Sequence, residues 1–327
     1  MRILVHELIC AGGLDDPPPS LRREGWAMLS AIATDFAAIN GVEVSTLLAP
    51  AFQSIDGVRR LESLNSREQF EEAVGDSDAV LIVAPEFDGR LIEFSDIVGD
   101  GRRERLGCSA DAIRLAGDKC ALAEHWRERG VPTPATCLAF ETSAPPCPAV
   151  LKPRFGAGSQ ATRLIESAAD WPEAWREASR EIPDHEFIVQ PYRPGKPCSI
   201  AFLIGPKDAA PLLPGEQILS TDGRFHYRGG RFSLSPDEAH RAVAIGRRAI
   251  AGIPGLAGCV GVDLVLGEQD VAIEINPRLT TSYIGLRRMT TVNLAEAWLR
   301  LHRGEPIGPI DWRKEPLAFS VDSRDSS

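Results

Sequence analysis

Basic residues are in short supply: 36 Lys and Arg stand against 46 Asp and Glu, a net charge of −10. Nucleic acid is held chiefly by a surplus of Lys and Arg, so it is not an expected partner, and an anionic ligand must be met by a few local cations. The seven cysteines (Cys10, Cys108, Cys120, Cys137, Cys147, Cys198, Cys259) are scattered, with no CxxC pair and no Cys/His zinc spacing. They read as reduced, mostly buried thiols of a cytoplasmic protein. No apolar run approaches the roughly 20 residues that span a bilayer, so no membrane partner is expected. The opening MRILVHELICAGG is broken by His6 and Glu7 and followed by DDPPPS, which makes it a first strand rather than a leader. Also missing are a Walker GxxxxGK[ST] loop, an internal repeat, and any Ser-His-Asp or Cys-His constellation.

What is present is enough chain for a real core: 327 residues, 43% hydrophobic. Such a length divides into two or three domains of about 100 to 150 residues. The strands RILVHEL, VEVSTLLA and DAVLIVAP alternate with the helices RREGWAMLSAIATDFAAI and SREQFEEAVG, the pattern of an open α/β layer. A short strand RLGCS leads to two helical segments, the first N-capped by Ser109, with Gly117 at their junction. From about Pro132 the runs ATCLAF, AVLKPRF, ATRLIE and FIVQPY surround the helix DWPEAWREASREI, an α+β module. The last third carries CSIAFLIG, a Gly-rich connection from Pro211 to Gly230, the helix SPDEAHRAVAIGRRAIAG, the pair GVDLVLGEQDVAIEIN and a helix TVNLAEAWLRLHRG. The tail after Lys314 is polar and is expected to fray.

The pair GVDLVLGEQDVAIEIN carries the most chemistry. A hairpin centred between Glu268 and Gln269 sets Asp263 opposite Glu274, and like charges so placed repel unless a cation lies between them. Glu274 and Asn276, two apart, share a face, with Val271, Ile273 and Ile275 on the other. Asp263, Glu274 and Asn276 then form an all-oxygen cluster of the kind Mg²⁺ prefers. A register slip of one residue would undo it, and a solvated strand end is the plain alternative.

In AVLKPRFGAGSQ, Lys152 ends an apolar strand and glycines follow, which lets main-chain N–H groups approach phosphate oxygens beside a mobile cation. A hairpin turn with a solvated lysine remains the alternative. Lys119 alone reads as a surface lysine, and FIVQPYRPGKPCS alone as an interdomain hinge.

The order of these fragments, a helix-start Lys119, LKPRFGAGS, VQPYRPG and then D…EINPR, resembles the ATP-grasp superfamily over nearly the whole chain. The resemblance implies an ATP-grasp fold, α/β and α+β, behind a Rossmann-like pre-ATP-grasp domain. The expected units are 1–108 (Rossmann-like), 109–195 (helical linker and lid subdomain) and 196–327 (C-terminal subdomain with the metal site). It implies that Lys119 and Lys152 hold the ATP phosphates and that Gly156, Ala157, Gly158 and Ser159 form the lid loop. Gln190 and the backbone near Tyr192 would meet adenine. Asp263, Glu274 and Asn276 would hold Mg²⁺ or Mn²⁺, and Arg278, with Lys152, would serve phosphoryl transfer. Where relatives such as D-alanine:D-alanine ligase carry a ribose-binding Glu, this chain has Pro197.

MRILVHELICAGGL, VAPEFDG and RLGCSADAIRLAGDK further resemble the ligases that join tyramine to the γ-carboxylate of glutamate in methanofuran synthesis, and their relatives in methylotrophic bacteria. The implied activity is an ATP- and Mg²⁺-dependent carboxylate–amine ligation through an acyl phosphate, with small-molecule carboxylate and amine partners and a homodimer allowed. Glu216, Tyr227, Arg228 and Arg231 stand near the expected mouth, where an arginine can fork a carboxylate or the segment is a solvated loop. Thr280, Thr281 and Ser282 contact substrate or cap the next segment. His6, Glu7, Gly12, Gly13 and Glu86 sit at strand ends, with His6 read as a satisfied hydrogen-bonding group. Left open are another grasp chemistry (a different amino-acid ligase, a carboxylase, a kinase-like transfer) and a non-catalytic nucleotide-binding protein.

Overall fold

The computed structural model describes residues 1–65, 67–99, 103–142 and 145–320. The first unit comprises β1 (Arg2–Glu7), α1 (Pro19–Ala37), β2 (Glu43–Leu48), β3 (Val58–Glu62), α2 (Arg67–Gly75), β4 (Ala79–Val83), α3 (Arg90–Gly99) and β5 (Glu104–Arg105). Its strands are all parallel in the order β3-β2-β1-β4-β5. β4 is buried at every position and β1 at all but the first, as expected where helices cover both faces of a parallel sheet. β3 was not anticipated. Its sequence VRRLE lacks a hydrophobic face because it is an edge strand, where Arg60 pairs with Glu62 in solvent.

Two helices lead out of this unit, α4 (Ala110–Gly117) and α5 (Lys119–Glu128). Ser109 caps α4 by accepting from the Ala112 N–H, as expected. The junction is made by Asp118, whose carboxylate accepts from the N–H groups of Cys120 and Ala121 and so starts α5 with Lys119 in its first turn.

The second sheet is four antiparallel strands in the order β6-β9-β7-β8: β6 (Cys137–Leu138), β7 (Ala149–Pro153), β8 (Arg163–Ile165) and β9 (Phe187–Pro191). Helix α6 (Trp171–Glu181) closes it through Trp171 and Ala178 over Leu151, Ile165 and Phe187. The third sheet is built from β10 (Lys196–Ile204), β11 (Ala209–Pro211), β12 (Gly215–Leu219), β13 (Tyr227–Phe232), β14 (Gly258–Leu266), β15 (Val271–Asn276) and β16 (Leu317–Phe319). Its order is β15-β14-β10-β12-β13-β16, with β11 beside β10. α7 (Pro236–Ile250) begins with the Ser235/Glu238 capping box, and α8 (Ser282–Leu286) and α9 (Leu294–His302) pack back against α1. No helix among the described residues is long and apolar enough to cross a membrane.

Two expectations are corrected here. The Gly-rich stretch 211–230 is not a plain connection but contains β12 and β13, an antiparallel pair with an irregularity between Ile218 and Leu219. Gly229 and Gly230 are demanded by packing, since a Cβ on Gly229 would lie 2.1 Å from the Phe319 carbonyl oxygen. The tail after Lys314 does not simply fray, because β16 pairs with β13 and buries Phe319; residues 321–327 lie outside the described residues.

Candidate active site

A cavity of about 740 Å³ opens between the four-stranded and seven-stranded sheets. At its centre the antiparallel pairing sets Asp263 opposite Glu274 and Gly261 opposite Asn276. Near the turn the register is one residue different, Leu264 facing Ala272, and a β-bulge at Asp263/Leu264 restores the expected pairing at the carboxylates. The bulge also corrects one assignment: Ile273, expected to face away, lines the cavity together with Glu274 and Asn276.

The two carboxylates are held differently. Asp263 accepts from Gln217 Nε2 at 3.0 Å and from Asn276 Nδ2 at 3.3 Å. Burial and then the facing Glu274 carboxylate push the Asp263 pKa well up. Burial also pushes Glu274 upward, but Lys119 and then Lys152 outweigh it and keep this carboxyl below its usual range. The Lys119 and Lys152 ammonium groups lie 3.6 Å and 4.0 Å from Glu274 Oε2. Burial lowers Lys152 to about 8, opposed by Glu274 and reinforced by Lys119. Among the described residues no three His, Cys, Asp or Glu side chains form a metal-ligand group. The cluster has two carboxylates and the Asn276 amide oxygen as a third donor. This all-oxygen set, with two carboxylates set directly opposite each other, fits a hard divalent cation.

The other expected residues line the same cavity on the lid side. Lys119 Nζ donates to the Gly156 carbonyl at 2.9 Å, which ties the start of α5 to the glycine loop. Gly158, Ser159 and Ala161 all have positive φ, so the loop is a tight left-handed bend rather than an extended strand. Ser159 Oγ donates to the Phe225 carbonyl at 2.7 Å, tying the loop to the β12–β13 turn. The Gln190 side chain is buried and donates to Thr136 Oγ1, while the Tyr192 N–H donates to the Pro148 carbonyl. Both line the cavity, as do Gly156, Ala157 and Pro197.

Arg278 lies past the carboxylates. Burial would lower its pKa, but Glu86, then Glu24 and Glu274, raise it. Glu216, Arg231, Thr280, Thr281 and Ser282 line the cavity; Arg228 is exposed and does not. Thr281 takes the N-cap position of α8 without a side-chain capping bond and instead hydrogen-bonds Tyr227.

Of the strand-end residues, Glu7 is buried and accepts from the Cys10 N–H at 2.6 Å. His6 corrects its expectation: neither ring nitrogen has a hydrogen-bond partner, the ring packs against Phe70 and Phe94 in a three-ring cluster, and burial lowers its pKa to about 3. It is a neutral core residue. Gln217, Glu24 and Met28, which sequence reasoning did not single out, also line the cavity. Gln217 sits one residue after Glu216 on a strand hidden by its glycines.

Comparison with known proteins identifies the fold. A model of the ATP-grasp domain matches residues 116–282, and one of the pre ATP-grasp 3 domain matches residues 42–113. Tyramine–L-glutamate ligase from Methanocaldococcus fervens is 26% identical over 313 residues, covering 93% of this chain and 95% of its own. The enzyme of the same name from Methanocaldococcus jannaschii is also 26% identical, covering 93% of this chain and 90% of its own. A crystal structure of a protein from Archaeoglobus fulgidus, described as of the ATP-grasp superfamily, superposes with a TM-score of 0.74 at 27% identity, covering 95% of this chain and 90% of that one. The chain belongs to the ATP-grasp family, and within it resembles the carbon–nitrogen ligases that join tyramine to L-glutamate.

Proposed function

We propose that the protein is an ATP- and Mg²⁺-dependent (or Mn²⁺-dependent) carboxylate–amine ligase. Its substrates are the γ-carboxylate of glutamate and an aromatic amine of the tyramine class, in methanofuran-type one-carbon cofactor synthesis. The observation that carries the reading is the convergence of Lys119 and Lys152 on Glu274, opposite Asp263, in the cavity that Arg278 also enters. Lys119 and Lys152 hold the phosphates, and the Gly156–Ser159 loop covers them and excludes water from an acyl phosphate. Gln190 and Tyr192 take the adenine end.

A divalent cation held by Asp263, Glu274 and Asn276 would neutralise phosphate charge. Arg278 balances the charge on the phosphoryl group as a substrate carboxylate attacks it, and the amine then displaces phosphate from the acyl phosphate. Such transfer needs positioning and charge balance more than a protein nucleophile, which suits a cavity of lysines, arginine and carboxylates. Arg231, Glu216, Thr281 and Ser282, at the cavity wall, take the carboxylate and amine substrates. The division 1–108, 109–195 and 196–327 is supported by the three separate sheets, and a cytoplasmic setting by seven unpaired cysteines. Incubation with ATP, Mg²⁺, glutamate and a panel of amines is expected to release ADP and phosphate only when an aromatic amine is present. Release with bicarbonate and no amine would move the protein to the carboxylases.

A further inference from the structure

Glu86 does not line the cavity, yet it grips a residue that does. It lies just beyond the end of β4, in the first unit, 192 residues from Arg278. Its Oε2 accepts from Arg278 Nη2 at 3.0 Å, and Oε1 is 2.9 Å from Nε. Arg278 Nη1 donates to the Leu279 carbonyl at 3.3 Å, and the same side chain lines the cavity. Behind Glu86, α4 ends at Gly117, where a Cβ would come within 3.5 Å of the Glu86 Cβ. The Glu86 side chain thus sits where the first unit, the linker helices and the third sheet meet.

Both side chains are withdrawn from water, at 5% exposure for Glu86 and 12% for Arg278. Burying such a pair costs several kcal/mol per ion, and apolar side chains of similar volume would fill the space without that penalty. The cost is accounted for if the charge and the orientation of Arg278 are used in the cavity, because a guanidinium recognises a phosphoryl group or a carboxylate through a planar fork with fixed directions. Free to rotate, the arginine would supply charge without aim.

We propose that Glu86 is a positioning residue that fixes the Arg278 fork for the transferred phosphoryl group. It thereby makes the first unit part of the phosphoryl-transfer machinery. The assignment rests on the phosphoryl-transfer role given above to Arg278, and its first assay uses the substrates of the ligase reading.

The test compares the parent protein with Glu86→Gln, Arg278→Gln and the double variant by ADP release with ATP, glutamate and amine. Glu86→Gln is expected to lower kcat about 10- to 100-fold, the loss typical of a misplaced reacting group, while KM for ATP stays within about twofold. The double variant is expected to be no slower than Arg278→Gln alone. Parental kcat in Glu86→Gln, or losses that multiply in the double variant, would overturn the proposal. Should Glu86→Gln fail to fold, Glu86→Asp keeps the charge and shortens its arm: a lowered kcat at unchanged KM supports the assignment, and a parental kcat overturns it. If the parent ligates no amine, the ligase reading fails separately, and the same four proteins are compared by the ratio of their ATP and ADP affinities in calorimetry. A ratio that Glu86→Gln alters only when Arg278 is present supports the role; one unaltered in both backgrounds overturns it.

Discussion

Glu274→Gln removes one charge and almost no volume where Lys119, Lys152 and Asp263 converge. At 3.6 and 4.0 Å, each lysine attraction is worth about 4 kcal/mol at an effective dielectric of ~20, before desolvation is subtracted. That is not the expected loss of stability. In the parent, burial and the facing carboxylate hold Asp263 above its usual range while Lys119 and Lys152 hold Glu274 below its own. Once Glu274 is neutral, burial still raises Asp263 but the facing charge that adds to it is gone, so Asp263 ionises more readily and gives the lysines one counter-charge. The folded protein should therefore lose no more than about 1–2 kcal/mol, near the centre of the range for single substitutions.

Cation binding is different, since the parent offers two carboxylates and the variant one. The penalty should exceed the roughly 10- to 100-fold that loss of a mere outer-shell partner costs. Titration of ADP release with Mg²⁺, alongside Mn²⁺ binding followed by electron paramagnetic resonance, reads both effects. An Mg²⁺ activation curve superimposable on that of the parent would refute the ligand assignment. A collapse of thermal stability would refute the redistribution of charge.

Other perturbations test the framework. Glu7 has its pKa raised by burial to about 7, against lowering hydrogen bonds from Cys10 and Ile9. A carboxyl raised in the folded state adds stability that is complete below the unfolded value of 4.5 and is lost as pH rises through about 7. Glu7→Gln should remove this dependence, worth about 3 kcal/mol, so the difference in melting temperature between parent and variant should change sign or shrink from pH 5 to pH 8; a constant difference would contradict the shift. Arg224→Ala breaks the 2.7 Å contact of the β12–β13 turn with Glu181 on α6, an ion pair a little over a quarter exposed. Such pairs are worth about 0.2–1 kcal/mol, so KM for ATP should rise no more than about fivefold, and a larger rise would mean that the turn does more than brace the lid. Asp118→Ala removes both the α5 cap and the Arg154 partner at 2.5 Å, and should cost about 3 kcal/mol in thermal unfolding.

How much of this was legible depended on the range of the interaction. The Asp263–Glu274 pairing was readable because a hairpin is local and strand alternation fixes its faces. The bulge that turns Ile273 inward was not readable, since it depends on the neighbouring strand as well as on the turn. β12 and β13 were hidden because Gly215, Gly229 and Gly230 mimic a loop, although they are there to let Phe232 and Phe319 approach the backbone. With those strands went Gln217, the donor that steadies Asp263. Glu86 was visible as a strand-end carboxylate, but its grip on Arg278 joins residues too distant in sequence for any pattern to connect. His6 misled for the opposite reason. A polar residue in a buried strand implies a partner, and here two phenylalanine rings pack against it instead.

The central claim, activation of a carboxylate as an acyl phosphate followed by capture with an amine, has a direct isotopic signature. Glutamate labelled with ¹⁸O in its γ-carboxylate is incubated with the protein, ATP, Mg²⁺ and tyramine, and the phosphate released is analysed by mass spectrometry. The account predicts ADP, the γ-amide, and phosphate carrying one ¹⁸O atom from the carboxylate. AMP and pyrophosphate as products, or amide formed with unlabelled phosphate, would contradict it.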